Sequence, residues 1–95
     1  MVVGVLRLEL LLHAPRRLKE KRGMIRKILD RCRQRFPVSG AETGEQDLWQ
    51  RAQLGFAMVH HDHGAVHRVF DRIVDEVEAA GFAEIIDRFV EFIHY

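Results

Sequence analysis

The sequence predicts an α+β sandwich of four strands with two helices on one side, and three observations carry that expectation. Residues 2–12 and 51–60 alternate apolar and other side chains with a period of two. Residues 18–36 and 66–77 instead place their apolar side chains at i, i+3, i+4 and i+7, the period of an amphipathic helix. Pro15, Pro37 and Gly81 fall between these stretches, where the chain has to change conformation.

In chain order, Leu6, Leu8, Leu10 and Leu12 give the first strand one leucine-rich face. Pro15 ends it, and Leu18, Ile25, Ile28, Leu29, Cys32 and Phe36 then form the stripe of a helix from about Arg17 to Arg35, stopped by Pro37. Val38 to Thr43 reads as a short strand of small residues, Gly44 to Asp47 as a turn, and Arg51 to His60 as the other arm of a hairpin. Asp62 is a natural N-cap for a second helix striped by Val66, Val69, Phe70, Ile73, Val74 and Val77, which Gly81 terminates. Ala83 to Tyr95 closes with a strand, Ile85, Phe89 and Ile93 expected on one face and Ile86, Val90 and Phe92 on the other. The order β-α-β-β-α-β is the ferredoxin-like split βαβ arrangement, with a four-stranded antiparallel sheet and both helices on one face.

The 95 residues make one domain, residues 1–95, with enough surface for a single modest core. The longest apolar run, 2–12, is broken by Arg7 and Glu9, so no membrane partner is expected, and without a secretory signal the expected location is cytoplasmic. One cysteine, Cys32, excludes an internal disulfide, and its place on the helical stripe predicts a buried, unreactive thiol. Between Ala14 and Phe36 stand ten basic residues against Glu20 and Asp30, a net charge of +8, while the remainder of the chain carries −7. The overall +1 conceals this asymmetry.

The strings Val2-Val3-Gly4-Val5-Leu6, Leu18-Lys19-Glu20-Lys21-Arg22 and Gln46-Asp47-Leu48-Trp49-Gln50-Arg51-Ala52 together resemble the YlxP-like family, the bacterial domain of unknown function 503. The resemblance implies a ferredoxin-like fold over nearly the whole chain. It implies no activity, and the frequent placement of the family's genes beside those for translation initiation and ribosome maturation factors implies a setting near RNA. Two features depart from the family pattern: Arg17 stands where a capping serine is common, and the turn after the third strand is His60-His61-Asp62-His63.

The charge pattern leads to the preferred expectation, a non-enzymatic binding protein. Arg16, Arg17, Lys19, Lys21, Arg22 and Arg26 would present cations around a helix amino terminus to the phosphates of RNA or the ribosome. Acids of the second helix, Asp71, Asp75, Glu76 and Glu78, are the internal alternative for pairing the same face. Base stacking in the manner of an RNA recognition motif is not expected, because the first strand has no aromatic and the third has only the core-facing Phe56.

From a different class comes an oligomeric scaffold with a protein partner. Trp49 would be one contact, and Val3, Val5 and Phe89 on the uncovered sheet face would be others, joined by Leu11, Ala57, Val59 and Ile93 in a patch whose burial calls for a homodimer. His61, His63 and His67, with Asp62, have spacing that a divalent metal could use, although a polar turn explains them without one, and no metal or other cofactor is expected. Glu42, Glu45 and Asp47 gather at the hairpin, but no nucleophile stands beside them and no catalytic residue is expected.

Overall fold

A computed structural model describes all 95 residues. Its elements are β1 (Val2–Leu12), α1 (Leu18–Arg35), β2 (Ser39–Gly44), β3 (Arg51–His60), α2 (His63–Ala79) and β4 (Ala83–His94). The strands pair antiparallel in the order β2-β3-β1-β4, which is the ferredoxin-like sheet.

The two central strands supply the floor of the core. Leu6, Leu8 and Leu10 of β1 and Ala52 and Leu54 of β3 are fully buried, with Phe56 and Met58 nearly so. Against them lie Ile25, Ile28, Leu29 and Cys32 of α1 and Val66, Phe70, Ile73 and Val77 of α2, forming one cluster of 18 residues. Both helices therefore cover the same side of the sheet. Burial pushes the Cys32 thiol up to about 11, helped by the nearby Glu76 carboxylate, so it stays a protonated core side chain.

Asp62 begins α2 as its N-cap, its Oδ1 accepting a 3.1 Å hydrogen bond from the Gly64 N–H. That bond, with the Arg68 guanidinium, holds the Asp62 carboxyl below its ordinary value. A depressed folded-state value means the contribution to stability is present above the ordinary carboxylate range and lost as pH falls through the lowered value. Asp62→Ala is expected to lower the melting temperature at neutral pH, and the gap from wild type should narrow on acidification, as followed by circular dichroism. Gly81 follows the helix at φ 79°, the left-handed backbone that lets the chain turn into β4.

One face assignment differs from strict alternation. The β1–β4 register shifts between Glu9 and Leu10, so Asp87 is paired with Glu9 and Ile85 with Leu10, leaving Ile86 as the extra residue. A bulge of this kind reverses the parity of the strand. Ile85 consequently joins Val90 and Phe92 on the core side, not Phe89 and Ile93.

Candidate nucleic-acid interface

Helix α1 presents its basic residues in three distinct settings. Lys21 was expected on the outer face and is instead completely buried. It sits four and seven residues before Ile25 and Ile28, on the apolar stripe, and its Nζ donates a 2.7 Å hydrogen bond to the Glu45 carbonyl. The same nitrogen lies 2.9 Å from Glu42 Oε2, an ion pair whose angle falls short of a hydrogen bond. Glu42 can reach it because Gly40 and Glu42 pair with Phe56 and Leu54, which puts the glutamate on the helix side of β2. Lys21 is thus an internal tie between α1 and the β2–β3 hairpin and is removed from the phosphate-facing set.

A second group is answered by acids. Glu20 accepts from the Arg16 backbone N–H at 3.2 Å and from Arg17 Nε at 3.3 Å, so it partly replaces the side-chain cap that Arg17 does not provide. Arg33 pairs with Asp30 at 3.0 Å, and Arg31 and Arg35 both engage Glu76 of α2. Only the carboxy-terminal half of α1 is therefore neutralised by α2, and it is neutralised through Glu76.

The remaining cations, the Arg16, Lys19, Arg22, Arg26 and Lys27 side chains, are exposed and make no ion pair. Residues 19, 22 and 26 recur every three or four positions, so these side chains run along one side of the first two turns of α1 with Arg16 at the head. Gly23 lies among them, exposed, and a Cβ there would meet nothing within 4 Å. Packing gives no reason for this glycine, which costs about 0.5–1 kcal/mol against alanine inside a helix.

The other sequence-derived candidates are dispersed. His61 stacks on His60 with ring centroids 4.5 Å apart, whereas His63 and His67, 5.0 Å apart, pack on Phe92, with His94 of β4 beside His63. Asp62 is engaged in capping and pairs with Arg68, so these groups do not converge, and no three His, Cys, Asp or Glu side chains are arranged as metal ligands. At the hairpin, Glu45 adopts φ 58°, and its carboxyl is raised above the ordinary range by partial desolvation and then by the hydrogen bond and charge of Glu9. Glu9 is the partner that sequence spacing did not reveal, because it arrives from β1. Asp47 remains exposed and apart from this pair.

Trp49 is 41% exposed in the loop before β3, next to the half-exposed Leu48. Val3 pairs with Val59 at the opposite end of the sheet, about 30 Å away at roughly 3.3 Å per residue, so Trp49 is not continuous with the Val3, Val5 and Phe89 patch. Phe56, only 2% exposed, leaves the central strands without an aromatic for base stacking.

Comparison with solved structures supports the fold alone. Protein YJCS matches with TM-score 0.59 at 10% identity, over 97% of this chain and 99% of that one. SnoaB, a cofactor-independent oxygenase from Streptomyces nogalater, matches with TM-score 0.56 at 10% identity, over 99% and 92%. A C-terminal segment of the alpha subunit of aIF2 from Pyrococcus abyssi matches with TM-score 0.55 at 13% identity, over 98% of this chain and 51% of that one. At the sequence level, the uncharacterized protein YlxP of Bacillus subtilis (strain 168) is 32% identical over 84 residues, covering 88% of this chain and 89% of YlxP. With residues 3–89 also matched by the model of the protein of unknown function DUF503, the chain belongs to that family.

Proposed function

We propose that this protein is a non-enzymatic RNA-binding protein that docks α1 against the phosphate backbone of RNA, in the setting of the ribosome. The observation that carries the reading is the line of exposed cations, Arg16, Lys19, Arg22 and Arg26, for which the fold provides no acid partner although it provides one for Lys21, Arg31, Arg33 and Arg35. Phosphate contacts of this kind are insensitive to sequence and sensitive to salt. Gly23 favours the same face, since a bare helix backbone lets a polyanion approach closely between the flanking side chains. The mode is backbone contact by a helix, not base reading by the sheet.

The test is binding to total RNA and to ribosomal subunits across a salt series, comparing wild type with a variant in which Arg16, Lys19, Arg22 and Arg26 are all glutamine. Lys21 is left intact because its role is internal. Wild-type affinity is expected to fall linearly with salt on logarithmic axes, and the variant's slope to be shallower by about 0.7–0.9 for each phosphate contact removed. Equal slopes, or no binding by either protein, would end the RNA reading.

A further inference from the structure

The sheet face opposite the helices is divided into two halves of different character. Toward the amino-terminal end of β1 it is mainly apolar, with Arg7 and Glu91 as its two charged members: Val3 and Val5 are half-buried, and Val59, Phe89 and Ile93 are 59%, 40% and 39% exposed. Toward the other end it carries Glu9, Gln53 and Asp87, aligned in one row by the strand register. The apolar half is also uneven in height. On the β4 side Phe89 and Ile93 stand up as a ridge, with Arg7 stacked over Phe89 at 4.7 Å. On the β2–β3 side a shallow, almost wholly apolar groove of about 350 Å³ is floored by Ala41, Gly55 and Ala57.

We infer that this face is covered by a second copy of the chain, packed sheet to sheet about a two-fold axis parallel to the strands. Such an axis exchanges left and right across the sheet while keeping each row opposite itself, so β4 of one copy lies over β2 of the other and β1 over β3. The ridge of each copy then enters the partner's groove, Phe89 meeting Ala41, and beside it Val5 meets Ala57. In the polar half Glu9 lies over Gln53 and Asp87 over Thr43, and in the row of Val5 and Ala57 Glu91 lies over Ser39, so each of these acids is opposite an amide or hydroxyl. A two-fold axis across the strands does the reverse, setting the valine end on Glu9 and Arg51. The pairing that buries apolar surface is therefore also the one that sets Glu9, Asp87 and Glu91 opposite uncharged polar side chains.

The area is sufficient. Four strands at about 4.8 Å and ten residues at about 3.3 Å give a face on the order of 600 Å² per copy and 1,200 Å² for the pair, the lower limit for a stable specific interface. The interface is on the opposite side of the sheet from α1, so the dimer would display two basic stripes without covering either.

The experiment is a mass measurement by light scattering or sedimentation at tens of micromolar, with a positional cross-link. Wild type is expected at twice the 11.1 kDa of one chain, and Phe89→Glu, at an exposed position, at a single chain mass with an unchanged circular dichroism spectrum. Co-expressed Ala41→Cys and Phe89→Cys chains are expected to join through a short bismaleimide, while neither variant cross-links to itself. Two Phe89 positions stand about three strand spacings, or roughly 14 Å, apart in this arrangement, in addition to the separation of the sheets. Cys32 is buried and does not contribute. A monomeric wild type, a Phe89→Glu dimer, or a dimer that cross-links only between like positions would overturn the inference. None of these outcomes depends on RNA binding.

Discussion

Replacing Lys21 with methionine is expected to destabilise the fold by about 3 kcal/mol, because it leaves a carboxylate inside the protein without its counter-ion. Methionine keeps most of the length and apolar character of the lysine stem, so the loss isolates the ammonium. That group holds Glu42 Oε2 at 2.9 Å and the Glu45 carbonyl at 2.7 Å. Glu42 retains 15% side-chain exposure, which permits some rehydration and places the cost near the lower end for a broken buried pair. In a domain of this size such a loss corresponds to a fall in Tm of roughly 12–24 °C, measurable by thermal or urea unfolding. The double variant Lys21→Met, Glu42→Leu removes both charges together and is expected to recover most of the stability, since an apolar pair of similar volume does as well as a buried ion pair. The same double variant should keep the wild-type salt dependence of RNA binding, because Lys21 Nζ has no route to a phosphate. A single variant within about 0.5 kcal/mol of wild type, the usual range for a surface change, would contradict the internal role assigned to this lysine.

The resemblance string Leu18-Lys19-Glu20-Lys21-Arg22 is thereby divided between two purposes. Lys21 faces inward, Leu18 is half-buried, Glu20 ties the start of the helix, and Lys19 and Arg22 face solvent. The inward position of Lys21 was legible in its spacing from Ile25 and Ile28; its charge argued the other way. What the sequence could not show was the compensating acid, because that depends on which residues of β2 face the helices, and a strand made of serine, glycine, alanine, glutamate and threonine has no apolar alternation to reveal it. Elements with strong periodicity, β1, α1, β3 and α2, lie where the pattern puts them to within a residue or two. Ile85 changed face because a bulge has no signature in hydrophobic alternation. Glu9 and Glu45, and likewise His63 and His94, meet only through strand pairing and helix packing, so no local spacing announces either pair.

Gly4→Ala is expected to be the most damaging single methyl group that can be added to the sheet. A Cβ at this position would stand 2.4 Å from Val66 Cγ1 and 3.1 Å from the Phe70 ring. Val66 and Phe70 are both fully buried on α2, and Gly4 is fixed between Met58 of β3 and Phe92 of β4. With a neighbour on each side, β1 cannot yield toward solvent as an edge strand could, and α2 must lift instead. Overpacking of this kind costs about 1–3 kcal/mol, and the upper part of that range applies because the obstructing atom is a stiff β-branched methyl. Val66→Ala removes that atom, so a double-mutant cycle gives the direct test. Each single substitution should destabilise, Val66→Ala by leaving a cavity and Gly4→Ala by overfilling. The double variant should be more stable than the sum of the two losses allows by at least about 1 kcal/mol. Additive losses would mean that α2 does not approach β1 through this contact. A favourable coupling would instead give Gly4, and with it the opening Val2-Val3-Gly4-Val5-Leu6 string shared in resemblance with the family, a packing reason that owes nothing to ligand binding.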